Sequence, residues 1–333
     1  MFPCRRGLPA VMKPPSIAVI GAGLAGLACA RRLQAAGLPV RLFDKGRAPG
    51  GRMSSRRGEV AAFDHGAQYF TLREPAFAAA VEAAAGLGQV ERWRPRWPGG
   101  EQESRDLWVG VPGMAALPAM LAEGLDIALA TPVAALARRA GGWRLMGGEG
   151  EELAAASLVV LALPAPQAAA LAAPWSPLAR RAEAVAMAPC WAAMVAFEQP
   201  LELPFDADWS DDPVLPWLAR NTSKPGREGP DAWVLHAAPG WSRERLESPA
   251  LEVQVTLIER FERRAGRPLP AIIAASVHRW RYARVEAPLG EPFLADWDAG
   301  LACCGDWCLD ARIEAAFMSG DRLGGELVAR CGG

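Results

Sequence analysis

Residues 17–44 read IAVIGAGLAGLACARRLQAAGLPVRLFD, and this stretch decides the fold. Ile17 to Ile20 is a short apolar run that stops at Gly21. From Leu24 to Ala36 apolar residues recur at helical spacing around Arg31, Arg32 and Gln34, and Gly37 closes the helix. Val40 to Phe43 is a second strand and ends in Asp44. Two strands joined through one helix lie parallel, with a right-handed crossover. Gly21, Gly23 and Gly26 form GxGxxG in the connecting turn. The first permits the tight turn, the second leaves room for a pyrophosphate against the backbone, and the third lets the helix pack on the sheet. Free amide hydrogens at the helix start then face the phosphates. Asp44 is placed to accept from ribose hydroxyls, and its charge disfavours a 2′-phosphate.

Outward from this unit the composition is that of a globular protein. Of 333 residues, 51% are apolar and 22% charged, enough for two domains or one large α/β unit. A formal charge of −1, from 36 basic and 37 acidic residues, offers no field for DNA or RNA and no basic cluster for a membrane surface. Neither nucleic acid nor membrane is an expected partner. Cys4, Cys29, Cys190, Cys303, Cys304, Cys308 and Cys331 are odd in number and scattered, which fits a reducing cytoplasm. Cys303, Cys304 and Cys308 lie close together, but no second pair or nearby histidine completes four ligands, so no metal is expected. Residues 1–15 read as a flexible extension lacking a signal peptide's apolar segment, with Met12 an alternative start. The uncharged run from Leu153 to Trp175 is broken by Pro164, Pro166 and Pro174 into a strand and an alanine-rich helix, not a membrane span.

Arg47 to Arg57, rich in glycine and arginine, reads as a ligand-approaching loop, followed by FDHGAQYF at 63–70 and a helix from Pro75 to Ala85. Trp93 to Glu103 is irregular, and the chain is expected to leave the first domain there. Beyond VGVPGM (109–114) come a helix to Glu123, a hairpin of Val133 to Ala137 and Trp143 to Met146, and a buried strand from Leu158 to Leu163. Met194 to Phe197, Val234 to Ala237 and Ile272 to Val277 read as strands, with a helix from Pro249 to Ala265. Leu301 to Gly305 is a last strand and Arg312 to Val328 a closing helix. The predicted class is α/β, with a Rossmann-like FAD-binding domain (16–80, 106–170 and 285–333) and a second α+β substrate domain built on an antiparallel sheet (81–105 and 171–284).

FAD is favoured over NAD by two later features. Gly50, Gly51 and Arg52 bring backbone and a guanidinium toward a diphosphate or a flavin. Gly305-Asp306 follows a short strand and precedes a helix, where the aspartate could bind a ribityl chain and the helix start could stabilise charge at flavin N1 and the C2 carbonyl. The plainer role for Asp306 is a helix cap.

These segments, together with CGDWCLDARIEAAFMSG at 304–320, resemble the FAD-dependent amine oxidase superfamily, and within it the bacterial renalase-like proteins. The resemblance covers nearly all of the chain after Ser16. It implies noncovalent FAD and oxidation of isomeric dihydronicotinamide dinucleotides (2- or 6-dihydro-NAD(P)) to NAD(P)⁺ by hydride transfer to flavin N5, with O2 reduced to H2O2. Flavin amine oxidation is the alternative within the superfamily; a non-catalytic FAD-binding structural or interaction protein and an NAD-binding dehydrogenase are the others. Carried onto this sequence, the cofactor set is Gly21, Ala22, Gly23, Leu24, Ala25, Gly26, Asp44, Lys45, Gly51, Arg52, Met53, Gln68, Tyr69, Phe70, Val133, Asp306 and Ile313, with Gln68, Tyr69 and Phe70 approaching the ring. WLARNTSKPGR at 217–227 resembles a further family element and offers Asn221 and Lys224 to the substrate. The paired cysteines before Gly305 and the N-terminal extension depart from the family pattern without touching these motifs. No catalytic side chain is assigned, because aromatisation by loss of hydride needs no general base.

His65, His236 and His278 are the only histidines, too few and too separated in sequence to predict a metal site or a triad. His236, in VLHAA, either enters the substrate cavity or is a structural histidine. His278, Trp280 and Tyr282 in HRWRY either line the pocket or cover an edge strand. Thirteen tryptophans read mostly as packing. Oligomeric state is left open.

Overall fold

The computed structural model describes residues 16–100 and 106–331, so the segment read as an extension lies outside the described residues. Two sheets organise them. With strands numbered along the sequence, the first holds β1 (Ile17–Ile20), β2 (Val40–Phe43), β3 (Ile127–Ala128), β4 (Leu158–Leu161), β10 (Leu294–Asp296) and β11 (Leu301–Cys303), in the order β10-β11-β4-β1-β2-β3. Every pairing is parallel except β10 on β11. The helices include α1 (Leu24–Ala35), α2 (Ala250–Ala265) and α3 (Ile313–Cys331). All four residues of β1 are buried, as expected of a central parallel strand covered on both faces. α1 and α3 pack at backbone distance, since a Cβ at Gly320 would overlap the Ala25 carbonyl.

The second sheet is antiparallel throughout and holds β5 (Met187–Phe197), β6 (Ala207–Trp209), β7 (Trp217–Arg220), β8 (Asp231–His236) and β9 (Ile272–Val285), in the order β6-β7-β8-β5-β9. One face, with Trp191, Val195, Leu218, Trp233 and Leu235, packs on Val253, Leu257 and Phe261 of α2, a single apolar stripe at helical spacing. On the other face the register aligns Trp209, Trp217, His236, Ala192 and His278 as one transverse row, because cross-strand partners share a face. The next row, Ala207, Ala219, Val234, Met194 and Ser276, is mostly small, and Ala61 and Phe63 pack over part of it.

The fold is thus a Rossmann-like α/β unit joined to an α+β unit on an antiparallel sheet, as the sequence leads one to expect. Two strands are much longer than their sequence signal. β5 runs 11 residues and β9 runs 14, whereas alternation marks only Met194 to Phe197 and Ile272 to Val277. In both, one flank is alanine-rich or charged, so pairing with neighbours rather than local pattern makes the strand.

Candidate active site

The corner after β1 is built from backbone. Gly21 donates its N–H to the Phe43 carbonyl at 2.8 Å, has φ of +108°, and would put a Cβ into the Ala162 carbonyl. A Cβ at Gly26 would overlap the Gly21 carbonyl, so bare Cα atoms let the helix start against the strand. Gly23 differs. Its φ is an ordinary −75°, and a Cβ built there meets nothing within 4 Å. Gly51 approaches the same space from the next loop, its Cβ position 3.6 Å from the Gly23 Cα. Asp44 frames the corner, accepting from the Ala22 and Gly46 amides at 2.6 Å each, which fixes the carboxylate and leaves lone pairs on both oxygens. Ala22, Leu24, Ala25 and Met53 are buried around it, and Lys45 is exposed. Thr131 donates its amide to the Asp44 carbonyl at 2.8 Å, setting the half-buried Val133 beside this loop. An open, glycine-lined helix start with a fixed carboxylate one strand away fits the diphosphate and ribose of a dinucleotide.

A second cluster joins the GGR loop to the C-terminal segment. Arg52 donates to Asp306 through both terminal nitrogens, at 2.8 and 2.5 Å, and to the Ala283 carbonyl at 3.1 Å. Asp306 is therefore the bidentate partner of Arg52 and not the helix cap, a position held by Gly305 without a side-chain bond; Ile313 opens α3 shortly after it. Ala67 donates its amide to the Arg52 carbonyl at 2.9 Å, and Gly66 packs so closely on that carbonyl that a Cβ would overlap it. The 66–70 segment is thereby stitched to Arg52. Tyr69 is half-buried, its ring 6.3 Å from Trp93 and 5.9 Å from Trp217. Phe70 departs from the expected placement: it turns into the core against Phe77, 5.6 Å away, because its backbone pairs with Trp108 and an extended segment alternates sides.

Asn221 and Lys224 also depart from expectation, lying behind the 64–69 loop with their polar atoms bonded to protein. Asn221 accepts from the Asp64 amide at 3.2 Å and donates to the Ala62 carbonyl at 2.9 Å. Lys224 donates to Gln68 Oε1 at 3.0 Å and lies 3.5 Å from Asp64 Oδ2. The hub is Asp64, which lies in the FDHGAQYF segment but is not among the predicted site residues. Its oxygens accept from Ser55 at 2.7 Å, the Met114 amide at 2.9 Å, and Arg227 at 2.6 and 3.2 Å. Burial alone would raise its pKa, but Lys224, Arg227 and the Met114 amide outweigh that and hold it down to about 2. No local signal marks a carboxylate whose cations lie about 160 residues downstream.

The three histidines, far apart in sequence, meet in space. His65 is buried 4.8 Å from His278 in an edge-on arrangement and stacks 5.0 Å from Trp280. Its carbonyl accepts from Trp280 Nε1 at 3.0 Å, and His236 Nε2 lies 3.2 Å from the same oxygen. Burial, with His278 and Arg56 nearby, lowers the His65 pKa to about 4; burial does the same to His236, against the pull of that carbonyl. His278 is lowered too, again by burial and then Arg56. All three rings are neutral at pH 7. Tyr282 lies half-buried two residues beyond Trp280. Among the described residues no three His, Cys, Asp or Glu side chains are arranged to hold a metal.

Known proteins share this fold. Residues 19–83 match the NAD(P)-binding Rossmann-like domain, and residues 99–322, most of the chain, match the flavin containing amine oxidoreductase family. The chain belongs to that family. It is an FAD-dependent oxidoreductase whose FAD-binding Rossmann fold is consistent with a noncovalent flavin. A hydroxyneurosporene desaturase of Cereibacter sphaeroides is 45% identical over 60 residues, and one of Rubrivivax gelatinosus 46% over 57. Those segments span 18% and 17% of this chain and only 12% and 11% of the desaturases. Among solved structures, a provisionally named protoporphyrinogen oxidase from Exiguobacterium sp. 255-15 superposes with a TM-score of 0.75 at 15% identity, covering 96% of this chain and all of that one. Cyclohexylamine oxidase from Brevibacterium oxydans IH-35A gives 0.72 at 12% identity over 96% and 99% of the two chains. Putrescine oxidase bound to putrescine gives 0.68 at 13% over 95% and 99%. At such identities the likeness is one of fold. No described helix is long and apolar enough to cross a membrane.

Proposed function

We propose that this protein is a flavin oxidase that removes a hydride from an uncharged planar ring, specifically an isomeric dihydronicotinamide of the 2- or 6-dihydro-NAD(P) type, as in the renalase-like proteins. The glycine corner with Asp44 would hold the diphosphate and ribose of FAD, and the Arg52–Asp306 cluster would hold its flavin end. The observation that carries the substrate reading is electrostatic. Asp64 and Asp306, the carboxylates at the two ends of the 64–69 loop's surroundings, are each paired with protein cations, and the three histidines beside the loop are neutral. An alkylammonium would have to lose water against imidazole and indole faces without a free counter-ion, whereas a neutral ring would stack. Bound FAD supplies the hydride acceptor at N5, with O2 as the final oxidant giving H2O2. The chain's own residues orient the ring and exclude water. On this reading residues 16–80, 106–170 and 285–333 form the FAD-binding domain and 81–105 with 171–284 the substrate domain, and the six free cysteines among the described residues support a cytoplasmic setting.

Amine oxidation is the second reading, and the family match together with the putrescine and cyclohexylamine oxidase folds favours it. One experiment separates them. Isomeric NAD(P)H added under nitrogen is expected to bleach the flavin absorbance, and primary amines are expected to leave it unchanged. The reverse pattern would establish amine oxidation.

A further inference from the structure

We propose that Lys224 is a positioning residue for the flavin-facing loop: its ammonium holds the Gln68 amide in one orientation, and through Gln68 it fixes Gly66 to Tyr69 against the Arg52 loop. The role is independent of which hydride donor the enzyme uses. The lysine side chain is wholly buried, yet the carboxylate beside it is already taken. Asp64 Oδ2 receives two Arg227 N–H groups at 2.6 and 3.2 Å, while Lys224 Nζ stands off at 3.5 Å. One carboxylate balances one cation, and the second cation is a surplus charge in a dry place, which opposes folding. Packing alone gives no reason for it, since a methionine would fill the same space.

Its short hydrogen bond, 3.0 Å, goes to Gln68 Oε1. That bond decides which end of the amide is the oxygen and sends Nε2 to the Asp64 and Gly66 carbonyls. From there the path is continuous, because the Ala67 amide donates to the Arg52 carbonyl and Arg52 grips Asp306. The charged neighbours of Lys224 are Asp64 and Arg227, the Trp93 ring lies 5.3 Å from its nitrogen, and His236, whose pKa it helps to depress, is neutral. Burial, with Arg227 adding to it, lowers the lysine pKa to about 8 against the pull of Asp64. Between about 8 and its ordinary value of 10.5 the unfolded chain binds more protons than the folded one, so stability rises with pH across that window and the full burial penalty is present below it.

The test uses the flavin-loaded protein. Lys224→Arg keeps a cation that does not titrate in this range. Lys224→Met removes the charge while Arg227 still neutralises Asp64. Titrating the flavin absorbance is expected to show one step near pH 8 in the wild-type protein, lost in both variants. The thermal midpoint of Lys224→Met at neutral pH is expected to equal or exceed wild type by roughly 2 °C. A wild-type spectrum without a step, or a step that survives in Lys224→Arg at the same midpoint, overturns the proposal. So does a Lys224→Met protein that melts well below wild type or fails to fold, because the lysine would then be a structural latch.

Discussion

The glycine corner after β1 and the transverse row of the antiparallel sheet are, on the proposed function, opposite solutions to binding. The corner works by leaving side chains out: Gly23 faces open space and backbone amides do the recognising. The row works by filling space with rings, Trp209, Trp217, His236 and His278 interrupted only by Ala192, and by keeping its imidazoles uncharged. On the function proposed above, one region takes a doubly charged diphosphate through dipoles and the other selects by shape and neutrality. Added volume should therefore be fatal to the first in a way that leaves the fold intact, while changes of charge should tell on the second.

The largest expected effect is at the corner. Gly23→Val should reduce flavin per purified chain to below about a tenth of wild type, because the side chain enters the diphosphate's space. Its neighbour sharpens the contrast. Gly26→Ala pushes a methyl into the Gly21 carbonyl and should cost about 3 kcal/mol of stability, seen as a lower thermal midpoint before any flavin is considered. Full flavin occupancy in Gly23→Val would refute the corner as the cofactor site.

A smaller effect is expected where the two regions join. Asp306→Asn leaves Arg52 facing a neutral acceptor, and since that guanidinium is 29% exposed and partly hydrated, flavin affinity should fall only about tenfold. Reconstitution of the flavin-free protein would measure this, and an unchanged dissociation constant would remove the Arg52–Asp306 pair from the cofactor site.

The smallest effect concerns the row. With His65 and His236 at about 4 in the folded chain and 6.5 in the unfolded one, the unfolded state binds more protons between those values. Their contribution is steady above pH 6.5 and is lost as pH falls toward 4. The thermal midpoint should drop over that interval, and His236→Gln should shrink the drop by removing one of the three lowered imidazoles. A midpoint that rises on acidification would mean that the imidazoles are charged when folded, and the preference for a neutral ring would go with it.

How far each region is legible in the sequence depends on how local it is. Gly21, Gly23, Gly26 and Asp44 lie within one βαβ unit, so spacing alone places them. Asp306 is readable as a helix-start carboxylate, but not as the partner of Arg52, because nothing in either segment refers to the other. The histidines show the limit most clearly. Their separation in sequence argues against any cluster, yet strand register puts His236 and His278 on one row and the 64–66 turn delivers His65 beside them. Phe70, Asn221 and Lys224 belong to recognisable motifs, and motif membership does not say which way a side chain turns.

The amino-acid sequence alone determined the dinucleotide corner and the α/β class, since turn chemistry, helical periodicity and glycine spacing act over a few residues and are written where they act; flavin was favoured by the Gly50–Arg52 loop, Asp306 and the family resemblance. Tertiary structure alone decided the Asp64 network, the neutral histidine row and the inward turn of Lys224. Those depend on desolvation and on partners brought from more than 150 residues away, and a side chain's charge and pKa belong to its surroundings once water is gone.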